Sequence, residues 1–351
     1  MKKRNLFWDN FKGILIFLVV LGHFIYAYSQ DLPNSLAAHI YVFIYSFHMP
    51  AFIFCSGYLS KSSNSRSAGS LTKLFVYYLL FNTLMLFITH FYNGSSIKIL
   101  TPYFSYWYIL SLISWRALIG KISHIKGLLL LSLAISLALG YSKEFTDLLS
   151  LRRTVAFFPF FIAGYLLDVQ KVDQFLAKRK PWHIILSGFC VLIVAVACFW
   201  IVKYFNLTSS ATLMNAYSKE STITHRILLF FISAFAIAGM FLTVPNCHIP
   251  LLSKIGKNSL LIYLVHRFIT IIFYRKIFPS ETYSSVYLIY AMIGTILVCV
   301  IFSSDRMNQW FSRIINHIVV CLNDKSSKIG NGLIISGFLL FLGILLINKL
   351  A

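Results

Sequence analysis

Long apolar blocks separated by short polar breaks run the length of the chain. A bilayer hydrocarbon core of about 30 Å takes about 20 apolar residues in helical form. Against that ruler the blocks predict spans at 11–29, 38–59, 73–91, 104–119, 127–141, 154–168, 183–203, 225–244, 258–275 and 285–303, with a further one at about 332–348. The expected fold is all-α, a polytopic integral membrane protein with 10–11 transmembrane helices. The blocks at 104–119, 127–141 and 154–168 are short, which suits a tilted or re-entrant pair. The expected organisation is a ten-helix membrane unit over 1–303, a cytoplasmic amphipathic segment over 304–330 and a further helix over 331–351. Trp310, Phe311, Ile314 and Ile315 give the middle segment an apolar stripe, which would rest on the inner membrane surface.

Composition narrows the class further. Of 351 residues, 58% are hydrophobic and only 12% charged, with a mean hydropathy of +0.77. That charged share is about half that of a soluble domain. A soluble enzyme, a disordered chain and a fibrous repeat are excluded. The net charge of +21 sits in short basic clusters between the apolar blocks, not on a continuous nucleic-acid-binding face. With the N-terminus inside, the inner segments carry 19 Lys and Arg and the outer ones 9. This asymmetry predicts a cytoplasmic N-terminus in a multi-pass cell-membrane protein. The excess of cations would also attract anionic lipid and anionic substrates. The first block is too long for the core of a cleaved signal. The six cysteines form no CxxC pair and read as small core residues.

Ionisable side chains inside apolar spans are costly, so they are candidates for function. Lys12 and His23 are eleven residues apart in the first span. At 100° per residue they fall about 20° from a whole number of turns, on one helix face and about 16 Å apart along the axis. Lys12 then sits at the inner rim and His23 beyond mid-depth. Gly22 leaves room beside His23, and Asp9 is one turn before Lys12, within reach of it. In Phe47-His48-Met49-Pro50, the proline cannot donate to the carbonyl of Ser46. That leaves the carbonyl unpaired and predicts a kink, and a kink beside a membrane histidine is a place for a cavity. His23 and His48 are expected at similar depth on helices adjacent in sequence. The plainer alternatives are a Lys12 that snorkels to the interface and histidines that only satisfy neighbouring helices.

Arg152 and Arg153 stand at the outer end of a helix interrupted by Pro159. They suit bidentate contacts to carboxylate or phosphate, or an interfacial anchor. Tyr106-Trp107-Tyr108 reads as an interfacial aromatic belt or as a platform for stacking on a sugar. Tyr26 joins Trp107, Lys12, Arg152 and Arg153 among the candidates for binding donor or acceptor. The pairs His225-Arg226 and His266-Arg267 read chiefly as structural. No hydrolase elbow, HExxH, Walker or Rossmann motif is present, and no carboxylate pair suits glycoside hydrolysis. No metal site and no resident cofactor are expected. Histidine, helped by Arg and Lys, is the chemistry available inside the membrane.

Lys12-Gly13…Val20-Leu21-Gly22-His23 resembles the first-helix motif of the membrane acyltransferase-3 family, a Lys or Arg followed by ten residues and a His. Phe47-His48-Met49-Pro50…Ser56-Gly57-Tyr58 resembles its second-helix motif. Trp107…Trp115-Arg116, Arg153-Thr154…Phe158-Pro159-Phe160-Phe161…Gly164-Tyr165 and Gly256-Lys257-Asn258-Ser259-Leu260…Tyr263…His266 follow in order. Together they look most like the fucose 4-O-acetylase branch, over about residues 5–300. The family's Arg-x-x-Arg before the third helix reads Ser70-Leu71-Thr72-Lys73 here.

The resemblance implies transfer of an acyl group, usually acetyl from acetyl-CoA as co-substrate, to a hydroxyl of an extracytoplasmic or lipid-linked sugar of a surface polysaccharide. Lys12 and the inner basic loops would hold the CoA phosphates while the pantetheine arm reaches toward His23. A sugar hydroxyl needs a base, and neutral histidine suits that role at pH 7. His23 is assigned as the base, and His48 as its orienter or as a stabiliser of the tetrahedral oxyanion. Arg153 would hold acceptor or donor. The competing readings are a polysaccharide or lipid-linked oligosaccharide transporter without chemistry, and a membrane-bound O-acyltransferase of another architecture, with His266 as its histidine.

Overall fold

The computed structural model describes residues 5–32, 35–94, 96–98, 100–142, 148–205, 216–217, 222–273 and 286–323. The chain forms helices α1 (Leu6–Asp31), α2 (Leu36–Leu59), α3 (Ala68–Asn93), α4 (Trp107–Ile122), α5 (Leu128–Ala138), α6 (Leu151–Leu166), α7 (Val169–Ala177), α8 (Trp182–Phe205), α9 (Ile223–Thr243), α10 (Pro250–Lys257), α11 (Ser259–Ile272), α12 (Val286–Phe302) and α13 (Asp305–Asn323). No strand occurs among the described residues. This is a polytopic, all-helical membrane fold. Each of the ten apolar blocks up to residue 303 has its helix; the block near 332–348 lies outside the described residues.

The spans are not uniform. Among the described residues, α1, α2, α3, α8 and α9 are individually long and apolar enough to cross a bilayer. Counting the bent pairs α6–α7 (74°), α10–α11 (82°) and α12–α13 (63°) as single spans raises that to eight. At 11 residues, α5 is about 17 Å long and does not reach across a hydrocarbon core of about 30 Å. The sequence blocks leave out α7 and α10, which are short amphipathic helices in the polar stretches between blocks. In α10 the apolar block begins only where the chain has already turned at Asn258. The Asn258 side chain donates to the Ser303 carbonyl and the Asp305 carboxylate, tying this corner to the start of α13. α13 packs against α3, with Lys73 Nζ donating to Ser312 Oγ and Ile315 fully buried.

Helix position follows from which faces are apolar. α1 and α2 are buried nearly all round and form the centre. α8 and α12 turn Ile184, Leu192, Phe199, Ile289, Ile293 and Leu297 outward, the arrangement of helices that face lipid. Two glycine contacts set the central spacing. A Cβ on Gly57 of α2 would collide with the Phe161 carbonyl of α6, and one on Gly164 of α6 would collide with the Phe54 carbonyl of α2. Likewise a Cβ on Gly256 of α10 would strike the Asp9 carbonyl of α1. Small residues at such crossings let backbones touch where lipid gives no hydrophobic drive. Asn10 strengthens the α1–α10 contact: its amide donates to the Pro245 and Cys247 carbonyls and its Oδ1 accepts from Ser253.

Candidate active site

The middle of α2 carries the consequence of Pro50. The helix stays continuous, and the Ser46 carbonyl freed by the proline accepts a 2.8 Å hydrogen bond from Ser233 Oγ of α9. Satisfying that carbonyl from outside lets the helix keep a proline beside a buried histidine. His48 is 2% exposed, and its Nδ1 lies 2.7 Å from the Ile44 carbonyl. A carbonyl only accepts, so Nδ1 carries a proton and donates. Neutral His48 therefore has its lone pair on Nε2.

His23 on α1 and His48 on α2 line one cavity. Gly22 makes this possible. A Cβ there would stand 2.9 Å from Cε2 of Tyr45, whose ring occupies that space. The Tyr45 hydroxyl is 3.2 Å from His23 Nδ1. The Tyr45 ring also packs 4.7 Å from the His48 ring, edge to face, so it bridges the two histidines.

Behind His23 stand two residues that the sequence reading left as structural. The His266 ring of α11 lies 5.0 Å from the His23 ring, with its Nδ1 donating to the Tyr263 carbonyl. Arg267 Nη1 is 3.5 Å from His23 Nδ1 and its guanidinium lies 4.6 Å over the Phe104 ring. Both are buried. The signal available in the sequence was the same one that marked His23, ionisable residues in an apolar block. Their adjacency to His23 arises from a contact 244 positions away along the chain.

The cavity has a volume of about 220 Å³ and includes Val19, Tyr26, Gln30, Phe104, Trp107, Arg153 and Tyr263 besides the histidines. Tyr26, Trp107 and Arg153 are thus brought together with His23 and His48. Arg153 sits 5.8 Å over the Trp107 ring and donates to the Phe104 carbonyl. Arg152 is not in this wall; it reaches toward the Ser142 carbonyl at 3.4 Å. Tyr106 and Tyr108 are buried, with hydroxyls on the Leu264 carbonyl and Ser56 Oγ. Burial of all three aromatics corrects the belt reading of Tyr106-Trp107-Tyr108: Trp107 faces the cavity and the tyrosines hold the core.

A second cavity, about 200 Å³, lies on the Lys12 side. Lys12, Ser56, Tyr108 and Arg116 line it. Lys12 pairs with Asp9 at 3.2 Å, and Arg116 Nε donates to Ser60 Oγ. One residue, Tyr263, belongs to both cavities. A larger groove of about 640 Å³ between α2, α5, α6 and α9 is lined by apolar side chains such as Leu133, Phe160 and Phe231 and offers no group for acid–base chemistry.

The acyltransferase domain model matches residues 5–304, nearly the whole described bundle and both cavities. The chain belongs to the acyltransferase-3 family. It is 27% identical over 291 residues to the nodulation protein NolL of Sinorhizobium fredii, a match covering 75% of this chain and 77% of that protein. A stretch of 66 residues is 41% identical to the nodulation protein NolL of Mesorhizobium japonicum, 18% of each chain. No solved structure matches. As a member of this family the chain is a membrane acyltransferase.

Proposed function

We propose that this acyltransferase moves an acyl group, acetyl in the simplest case, from acyl-CoA on the cytoplasmic side to a sugar hydroxyl on the other side. The acceptor is a surface polysaccharide or its lipid-linked precursor. The observation that carries this reading is the pair of cavities that meet at Tyr263. The cavity on the Lys12 side holds cations, Lys12 and Arg116, toward the face that the sequence predicts to be cytoplasmic. They suit the phosphates of CoA, and their position stands in for the missing Arg-x-x-Arg of the 70–73 segment. The histidine cavity has Trp107 and Arg153 in its wall beside the two histidines. An aromatic face beside a guanidinium suits a sugar ring, by stacking and by hydrogen bonds to hydroxyls.

The size of the histidine cavity agrees with a small group. Sites for drug-sized ligands run to roughly 300–1,000 Å³. At about 220 Å³ this cavity suits one sugar ring or one acyl thioester end, not a whole oligosaccharide. Chemistry needs a base for the hydroxyl and a donor for the oxyanion, and two histidines supply both. General-base help is worth roughly 10²–10⁴-fold and an oxyanion donor roughly 10²–10³-fold.

The test uses membrane vesicles that contain the full chain. Radiolabelled acetyl-CoA is supplied on the cytoplasmic face, and label is followed into the glycan fraction and into lipid extracts. Label that reaches alkali-labile ester on glycan supports the reading. Glycan that crosses the membrane without acquiring ester would replace it with the transporter reading.

A further inference from the structure

The hydrogen-bond partners of the two histidines differ in kind. His48 Nδ1 faces a carbonyl at 2.7 Å and must donate, so its Nε2 is an acceptor. His23 Nδ1 faces the Arg267 guanidinium at 3.5 Å and the Tyr45 hydroxyl at 3.2 Å. Guanidinium has donors only. The Tyr45 hydroxyl could accept from Nδ1–H, but a proton there would also face the Arg267 cation, which favours the neutral ring with its proton on Nε2. No other hydrogen bond engages either Nε2 among the described residues.

Arg267 is placed to enforce this. It is 6% exposed within the bundle, where a cation is costly. Among the described residues no carboxylate pairs with it. Its other contacts are Thr270 Oγ1 at 3.4 Å and the face of Phe104. It is absent from the lining of the histidine cavity, so it acts on the reaction through His23.

The geometry points to Arg267 as the positioning residue that fixes His23 as a hydrogen-bond donor, leaving His48 as the general base. This division reverses the roles drawn from sequence, and it rests on the acyl-transfer reading above. His48 Nε2 takes the proton of the acceptor hydroxyl as its oxygen attacks the thioester carbonyl carbon. The C–O bond forms, and the oxyanion accepts a hydrogen bond from His23 Nε2–H, which keeps its proton. Collapse breaks the C–S bond, and the proton on His48 passes to the CoA sulfur. The products are the sugar ester and free CoA.

Glutamine separates the two roles, because its amide nitrogen can donate where Nε2–H stood but cannot serve as a base. The experiment compares His23→Gln, His23→Ala, His48→Gln, Arg267→Met, Arg267→Lys and the double variant His23→Gln/Arg267→Met, at equal amounts of monodisperse full-length protein. His23→Gln is expected within about tenfold of wild type, and His23→Ala lower by roughly 10²–10³. His48→Gln is expected to lose roughly 10²–10⁴. Arg267→Met slows wild type, Arg267→Lys restores part of the rate, and Arg267→Met adds little in the His23→Gln background. A merely structural Arg267 would cost the same in both backgrounds. His23→Gln as inactive as His23→Ala, or additive loss from Arg267→Met, overturns the proposal. Nitrogen NMR of labelled histidine gives a readout free of activity. A bare Nδ1 on His23 supports the assignment and a protonated Nδ1 overturns it, even if wild type transfers no acyl group and the functional reading itself fails.

Discussion

The Tyr263 hydroxyl donates to the Ser105 carbonyl, and the tyrosine ring stands in the wall of both cavities. Its ring packs edge to face on Tyr108 at 5.3 Å, so the partition is built from two helices, α4 and α11. If acyl-CoA approaches from the Lys12 side, the thioester has to pass this point. Tyr263→Phe removes the hydrogen bond and keeps the ring. It is expected to raise acceptor-independent hydrolysis of acetyl-CoA several-fold, because water reaches the thioester more easily. Thioester hydrolysis without acceptor, measured in vesicles, checks this. Hydrolysis equal to wild type would mean that the tyrosine does not separate the two spaces.

Lys12 is held by Asp9 in the wall of the cavity on its side. Its loss would remove a charge from the proposed route of the CoA phosphates. Lys12→Ala is expected to raise KM for acetyl-CoA about tenfold, equivalent to about 1.4 kcal/mol, with kcat little changed. With an acetyl thioester of pantetheine, which lacks the phosphates, the variant and wild type should match. An equal penalty with both donors would show that Lys12 acts on structure.

Arg152 and Arg153 should separate. Arg153 lines the histidine cavity beside Trp107, and Arg152 turns to the Ser142 carbonyl. Arg153→Ala is expected to weaken acceptor use by about tenfold or more, and Arg152→Ala to leave acceptor KM close to wild type. Competition between the variants for a limiting glycan acceptor reads this out. Equal losses would place both arginines outside acceptor binding.

The glycine crossing is a stability prediction. Gly57→Ala or Gly164→Ala forces α2 and α6 apart and should destabilise by about 1–3 kcal/mol. Gly188 on α8 has open space around it. Gly188→Ala should therefore be neutral or gain up to about 1 kcal/mol. Thermal unfolding of detergent-solubilised protein, read for all three, distinguishes a tight crossing from a general intolerance of alanine.

The central helices and the two histidines were legible because a long apolar block makes an ionisable residue conspicuous. The Lys12–Asp9 pair was legible for a related reason, since its spacing of three residues is local to one helix. Arg267 and His266 carry the same mark as His23, yet the sequence gives no reason to set them beside it. That neighbourhood depends on how α11 packs against α1. Tyr45 was hidden by abundance, as one tyrosine among 20. The helices α7 and α10 escaped because 9 and 8 residues are too few for a span, and both fall in the polar stretches between the blocks, which read as loops.

Acyl content of the surface glycan, in cells carrying wild type, His23→Ala or His48→Ala at matched membrane levels, tests the account most directly. Ester on the glycan in wild type and its loss in both variants, with the polymer still exported, is the expected result. Glycan that carries no ester in wild type, with export that fails when either histidine is removed, would contradict it.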